Sequence, residues 1–399
     1  MQPDNASSPR LSKTTLFAMA AAAGMGAANI YYNQPMLGVM NESLHDPRVS
    51  AWIPTMTQLG YASGLLFLLP LGDMLERRRL IVLQFLGLAV ALIFAAAAPG
   101  LATLAIASVL VGAMATVAQQ IVPFTTILAE PTKRGAAIGS VMSGLLAGIL
   151  LSRTLAGVVS SMAGWRAVFW LAAPVAVAGA VLMRRVLPAH RPTQAVQYGA
   201  LMVSLGKLWV HEPMLRRAAA TQALLFASFS AFWTILALRL AQPPLNLGAA
   251  AAGLFGIVGT VGVAMAPLAG RMADRKGPAP VIALGAAAMI LAWVVFGAWS
   301  NLVGLVIGVI VLDFGEQIAL VSNQHLIYSL HPEYKSRLNT LFMTTMFVGG
   351  AIGSFLSAWA WSHYGWVGVT LLGAVLPVGA LALSLNSRRL LRARVESAG

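Results

Sequence analysis

Apolar runs of about twenty residues, the length a helix needs to cross the hydrocarbon of a bilayer, recur along the chain with short polar breaks between them. They occupy residues 14–37, 51–71, 80–98, 101–128, 136–160 and 165–186, then 214–238, 247–270, 280–298, 302–330, 338–361 and 366–385. The pattern predicts an all-α integral membrane protein with twelve transmembrane helices in two pseudo-symmetric halves of six. The first run contains Ala-x-Ala triplets resembling a signal-peptidase site. It exceeds the roughly 7–15 residues of a signal peptide's apolar core, however, and reads as a retained span. Five segments follow: a tail (1–13), a first bundle (14–186), a polar connection (187–213), a second bundle (214–386) and a basic tail (387–399).

The break after the second run is the densest in charge. Gly72, Asp73, Glu76, Arg77, Arg78 and Arg79 are squeezed between two apolar spans, so this stretch must be a tight hairpin at the membrane surface. A weaker copy appears 198 positions later, where Gly270, Asp274 and Arg275 correspond to Gly72, Glu76 and Arg77. Pro131 and Gly164-Trp165 likewise recur 201 positions on, as Pro332 and Gly365-Trp366. Landmarks repeating at nearly one offset identify the halves as parallel repeats, the plan of a transporter whose site lies between them near the bilayer midplane.

Composition and charge sharpen this picture. With 58% hydrophobic and 10% charged residues the chain is far from the roughly 25% charged residues of a soluble domain. Its formal net charge of +14 does not indicate nucleic-acid binding, because the basic residues sit in short clusters between apolar spans rather than on one soluble face. If both termini are cytoplasmic, only Arg48, Arg166 and Arg239 lie outside and Arg153 within a span, with every other Lys and Arg inside. The positive-inside rule is then strongly obeyed, which orients a multi-pass membrane protein with both termini cytoplasmic. No cysteine is present, so a disulfide framework and thiolate chemistry are excluded. The six histidines are scattered and there is no H-E-x-x-H, P-loop or Gly-x-Ser-x-Gly. The sequence thus points to no enzyme, metal or cofactor.

Charged residues inside spans carry the candidate chemistry, since each costs about 2.5–3.5 kcal/mol on insertion scales unless paired or hydrated. Arg153 lies in the fifth span and Asp313 and Glu316 in the tenth. The two acids are three residues apart on one helical face, with Gln317 and Gln324 extending the stripe. By helical rise the depth of Asp313 lies within about 6 Å of that of Arg153, so Arg153 is expected to pair with Asp313 or Glu316 across the interface of the halves. The other acid, desolvated beside a like charge, is then placed to take up a proton. A permanent packing ion pair, or an Arg153 that docks an anionic substrate, accounts for the same residues.

Further polar groups mark a substrate path: Asn29 and Asn33 in the first span, Gln119 and Gln120 in the fourth, and Gln222, Phe226, Phe229 and Trp233 in the seventh. Tyr31, Tyr32, Asn33 and Gln34 fit equally well as an interfacial belt. A mixed aromatic and amide lining suits an amphipathic organic molecule.

The loop from Gly72 to Arg79, its copy, the twelve spans and the long connection resemble the major facilitator superfamily, whose signature loop reads roughly G-x-x-x-D-R-x-G-R-[RK]. The phrases Asn29-Ile30-Tyr31-Tyr32-Asn33-Gln34-Pro35, Ser152-Arg153-Thr154 and Gly164-Trp165-Arg166 are similar to a bacterial subgroup of drug and metabolite efflux permeases. The resemblance implies alternating access, a cavity lined by the first, fourth, seventh and tenth spans, and a cytoplasmic latch. Glu76 and Arg77 would be its residues, with Asp73 a rival for the carboxylate. Glu76 replaces the usual Asp and Arg79 the second glycine. Gly144 and Gly148 in the fifth span permit close helix contact, whereas the proline of the antiporter pattern is absent. The expectation is a monomeric, proton-coupled exporter of small organic molecules acting in the lipid bilayer. The alternatives are an importer of a sugar or organic anion, and a non-transporting receptor on the same scaffold.

Overall fold

A computed structural model describes residues 11–191, 197–263, 271–272, 275, 277–331 and 334–396. In lipid every backbone N–H and C=O must be satisfied within the protein, and helices accomplish this throughout the described residues, which contain no strand. The first half comprises α1 (Lys13–Ala27), α2 (Asn33–Leu44), α3 (Val49–Phe67), α4 (Arg77–Ala96), α5 (Leu101–Ala115), α6 (Val117–Leu128), α7 (Arg134–Ala163) and α8 (Trp165–Val186). After a connecting helix, α9 (Tyr198–His211), come α10 (Pro213–Ala241), α11 (Ala249–Val263), α12 (Pro278–Ala298), α13 (Leu302–Leu330) and α14 (Lys335–Glu396).

Eight stretches of the described residues are helical, long and apolar enough to cross a membrane, not the twelve expected from sequence. The difference has physical causes. The first span is broken into α1 and α2 by a 3-10 turn at Ala28–Ile30, where the Asn29 Nδ2 donates to the carbonyls of Met25 (2.7 Å) and Gly26 (3.3 Å). The fourth span also bends at Thr116, between α5 and α6, yet Leu101–Leu128 still counts among the eight. The stretch Lys335–Leu385 is counted once, although Gly365 interrupts α14 with φ 60° and ψ −150°. Its repeat partner Gly164 has φ 78°. Both sit in the left-handed region that glycine tolerates and side-chain-bearing residues resist, so the same turn closes the same hairpin in each half.

Each half has its own apolar core, one running from Ala18 to Leu187 with Phe226, Met346 and Phe347 added, the other from Leu225 to Ala380. Within the halves α1 packs on α7, α3 on α5, α4 on α8, α10 on α14 and α12 on α13, while α3 on α14 and α7 on α11 join the halves. Small residues allow these approaches. A methyl group built on Gly148 would overlap the backbone of Gly24, 2.6 Å from its carbonyl carbon, and no side-chain rotation relieves a clash with backbone. Gly148→Val is therefore expected to separate α7 from α1 and lower the thermal midpoint of the detergent-purified protein by several degrees, as overpacking costs about 1–3 kcal/mol; fluorescence-detected unfolding measures this.

The connection expected to be a plain loop contains α9. Its Leu201 and Leu205, one turn apart, are buried, and the Tyr198 hydroxyl donates to the Phe67 carbonyl at 3.2 Å. The connection is thereby tied to the end of α3.

Candidate functional site

Three helices from two halves converge on Arg153. This side chain, on α7, is only 3% exposed, and its Nε donates to Gln34 Oε1 of α2 at 2.9 Å. Its guanidinium lies 3.8 Å from the centre of the Trp233 ring of α10 and 4.7 Å from that of Tyr31. Desolvated cation–π contacts are worth about 2 kcal/mol or more each. The expected ion pair with Asp313 or Glu316 does not form; among the described residues Arg153 is held by two aromatic faces and one amide. Trp233 stands between the charges. It stacks on Arg153 and donates its Nε1 to Asp313 Oδ1 at 3.4 Å, so cation and anion are linked through one indole.

Glu316 sits in a different setting on α13, the helix it shares with Asp313. Gln222 of α10 donates to Glu316 Oε1 at 2.7 Å and accepts from Asn323 Nδ2 at 2.9 Å. Glu316 Oε2 is buried with no hydrogen-bond partner among the described residues. Asn323, seven residues beyond Glu316, continues the acidic face instead of Gln317, which lies half-buried outside this network, or Gln324, which points to Met343 Sδ at 3.9 Å. That i, i+7 spacing was visible in the sequence.

Beside Arg153, and sharing its partners Tyr31 and Gln34, lies a narrow cavity between the halves, walled by residues that include Asn33, Gln58, Phe226, Phe229 and Phe347. No charged side chain lines it. Aromatic rings continue from the cavity to Arg153: Phe347 meets Phe226 at 5.0 Å, Phe226 stacks on Phe229 at 5.6 Å, and Phe229 meets Trp233 at 6.1 Å. Because Phe226, Phe229 and Trp233 recur at i, i+3 and i+7 on α10, one helical face builds the wall. Asn33 and Phe226, two of the residues expected along a substrate path, both line this cavity. Gln119 instead donates to the Tyr61 hydroxyl at 3.2 Å. Asn29 is occupied with the break after α1, and Gln120 donates to the Leu68 and Leu69 carbonyls at 2.9 and 3.2 Å. Those two residues do not line the cavity.

A buried polar clasp closes the cavity between the halves, and sequence reasoning missed it. Gln58 of α3 donates to Ser354 Oγ of α14 at 2.7 Å, Thr234 Oγ1 lies 2.9 Å from the same oxygen, and Ser230 Oγ donates to Gln58 Oε1 at 3.3 Å. Gln58, the one amide of its span, was the available signal.

In the charged hairpin, Arg77 Nη2 meets Asp73 Oδ1 at 2.8 Å, whereas Glu76 pairs with Arg78 at 3.2 Å. The carboxylate beside Arg77 is therefore the rival, Asp73. A Cβ at Gly72 would meet Gln120 Oε1, the end of a flexible side chain that can turn aside. In the second-half copy Arg275 is exposed, while Asp274 lies outside the described residues.

The sequence profile of the Major Facilitator Superfamily matches residues 16–353 and 218–397. The chain belongs to the Major Facilitator Superfamily. It is 40% identical over 368 residues to the uncharacterized transporter YgaY of Escherichia coli (strain K12), covering 92% of this chain and 93% of that one. A probable transporter of Streptomyces coelicolor is 34% identical over 375 residues, covering 93% and 87%. Among solved structures, the crystal structure of a variant of the nucleoside transporter NupG superposes with a TM-score of 0.77 at 13% identity, covering 94% of this chain and 99% of that one. That likeness is one of fold. As a member of the superfamily the chain is a multi-pass membrane transporter, and the family implies a small-molecule substrate.

Proposed function

We propose that this protein is a proton-coupled exporter of small organic molecules, working by alternating access as a monomer in the bacterial inner membrane. In this reading the chain crosses twelve times with both termini cytoplasmic. The observation that carries it is the pair of buried acids on α13, Asp313 beside Trp233 and Arg153, and Glu316 with one oxygen undonated to. Burying a carboxylate without donors is costly, and protonation of Glu316 removes that cost. Proton arrival and departure would therefore change which arrangement of α10 and α13 is favoured, and hence which way the cavity opens. Asp73, Arg77 and Arg275 would act at the cytoplasmic closure, and the aromatic and amide cavity would hold the substrate. Export is supported by the likeness of the first and fifth spans to efflux permeases.

The test is accumulation of fluorescent aromatic compounds by energised, efflux-deficient bacteria expressing the chain. Expression is expected to lower accumulation severalfold, and a protonophore or Asp313→Asn is expected to abolish the difference. Accumulation that rises on expression would reverse the direction. It would favour the second reading, an importer of organic anions, for which the specific support is an Arg153 not neutralised by direct contact with a carboxylate.

A further inference from the structure

The hydrogen-bond polarity of the cavity wall follows from two amides whose orientations are fixed by their neighbours. The Thr57 hydroxyl donates its only proton to the Ile53 carbonyl at 2.8 Å. Toward Asn33, 2.9 Å away, it can therefore only accept, so the NH2 of Asn33 faces Thr57 and the carbonyl faces away. That oxygen, Asn33 Oδ1, belongs to a side chain 4% exposed and has no hydrogen-bond partner among the described residues. Gln34 is fixed in the opposite sense. Arg153 has only donors, so Gln34 must turn its Oε1 to it at 2.9 Å, which leaves the Gln34 Nε2 as a donor.

Both amides line the same cavity. The wall thus offers one acceptor and one donor from consecutive residues, together with three phenylalanine rings and no charge. The remaining amide of the wall, Gln58, is already bonded at both ends. A buried acceptor left unpaired is costly, and a ligand that donates to Asn33 relieves it.

We propose that the cavity binds an uncharged, planar aromatic compound bearing an N–H beside a carbonyl, as in a carboxamide, lactam or imide. The N–H donates to Asn33 Oδ1, the carbonyl accepts from Gln34 Nε2, and the ring packs among Phe226, Phe229 and Phe347. A carboxylate in the same place offers no donor to Asn33 and brings an unpaired charge into an uncharged wall. An ammonium offers no acceptor to Gln34 and carries the same penalty. Specificity here is a matter of pattern as well as of size, since sites built to hydrogen-bond discriminate strongly against analogues lacking the group. In this structure the three rings, in contact with one another, nearly fill the cavity, so a compound enters it as the two halves part.

This inference rests on the cavity being the substrate site of the proposed transporter, and it is tested without transport. Binding of three probes that share one ring system is measured by isothermal titration on the detergent-purified full-length chain, with no proton gradient: 2-naphthamide, 2-naphthoate and 2-naphthylmethylammonium. The amide is expected to bind at least tenfold more tightly than either ion. Asn33→Leu and, independently, Phe229→Ala are each expected to weaken it at least tenfold, in protein that elutes as a single peak on size exclusion and keeps its helical circular dichroism. Equal or tighter binding of the carboxylate, no binding of any probe, or amide binding unchanged in both folded variants would overturn the proposal. Loss of proton coupling in Asp313→Asn with amide binding intact would bear on the transport mechanism and leave the site assignment standing.

Discussion

Glu316→Gln is expected to lower transport driven by a pH gradient at least about tenfold, while exchange of compound across the membrane without a gradient persists. A factor of ten corresponds to about 1.4 kcal/mol, a modest demand on a group proposed to alternate between a buried neutral acid and a buried anion. The substitution is nearly isosteric, and its oxygen can still accept from Gln222 at the 2.7 Å now spanned to Glu316 Oε1. What changes is that the side chain can no longer bind or release a proton. Counterflow and gradient-driven uptake in the same proteoliposomes separate the two consequences. If Glu316 were only a packing element, both rates would fall together or neither would change. An amide that leaves the pH profile of transport untouched would remove Glu316 from the coupling scheme.

Arg153→Met is expected to cost about a hundredfold in transport while leaving the protein folded, with a thermal midpoint within a few degrees of the parent. Removing one buried cation loses the bond to Gln34 and the stacking between Tyr31 and Trp233. It also leaves Asp313 with the Trp233 N–H but without the nearby positive charge. An apolar replacement of similar reach recovers packing, which is why stability is expected to survive better than function. Arg153→Lys is the informative companion. Its compact ammonium keeps the charge but cannot lie flat on two rings while donating to Gln34, so it is expected to rescue transport by no more than a few fold. Full activity in Arg153→Lys would show that charge alone matters and that the aromatic sandwich is incidental.

Much of the architecture was legible because lipid enforces it. Long apolar runs must become helices, and a hairpin as charged as that from Gly72 to Arg79 must leave the hydrocarbon. The repeated Gly164-Trp165 and Gly365-Trp366 were legible for a related reason: each glycine takes a positive φ at the same turn of its half. The break after α1 was not legible, because it depends on Asn29 turning its side chain back to two carbonyls of its own helix. That break also explains why Tyr31 and Gln34, which fitted an interfacial belt, lie in the interior against Arg153.

The pairing of Arg153 with an acid failed for a different reason. Counting residues gives depth along a helix and says nothing of azimuth, and a planar guanidinium can be held by aromatic faces as well as by carboxylates. Gln120 shows the same limit. It lies one residue from Gln119 and near the expected cavity, yet it bonds the end of α3 beside the charged hairpin. The helix α9 was hidden by the polar residues around it, with Leu201 and Leu205 alone marking its buried side.

The most direct test of proton coupling uses proteoliposomes loaded with a pH-sensitive dye and challenged with a panel of aromatic compounds. A transported compound is expected to move protons in the opposite direction, and both Asp313→Asn and Glu316→Gln are expected to abolish that proton flux. Compound transport that proceeds without proton movement, at rates unaffected by either substitution, would contradict the account.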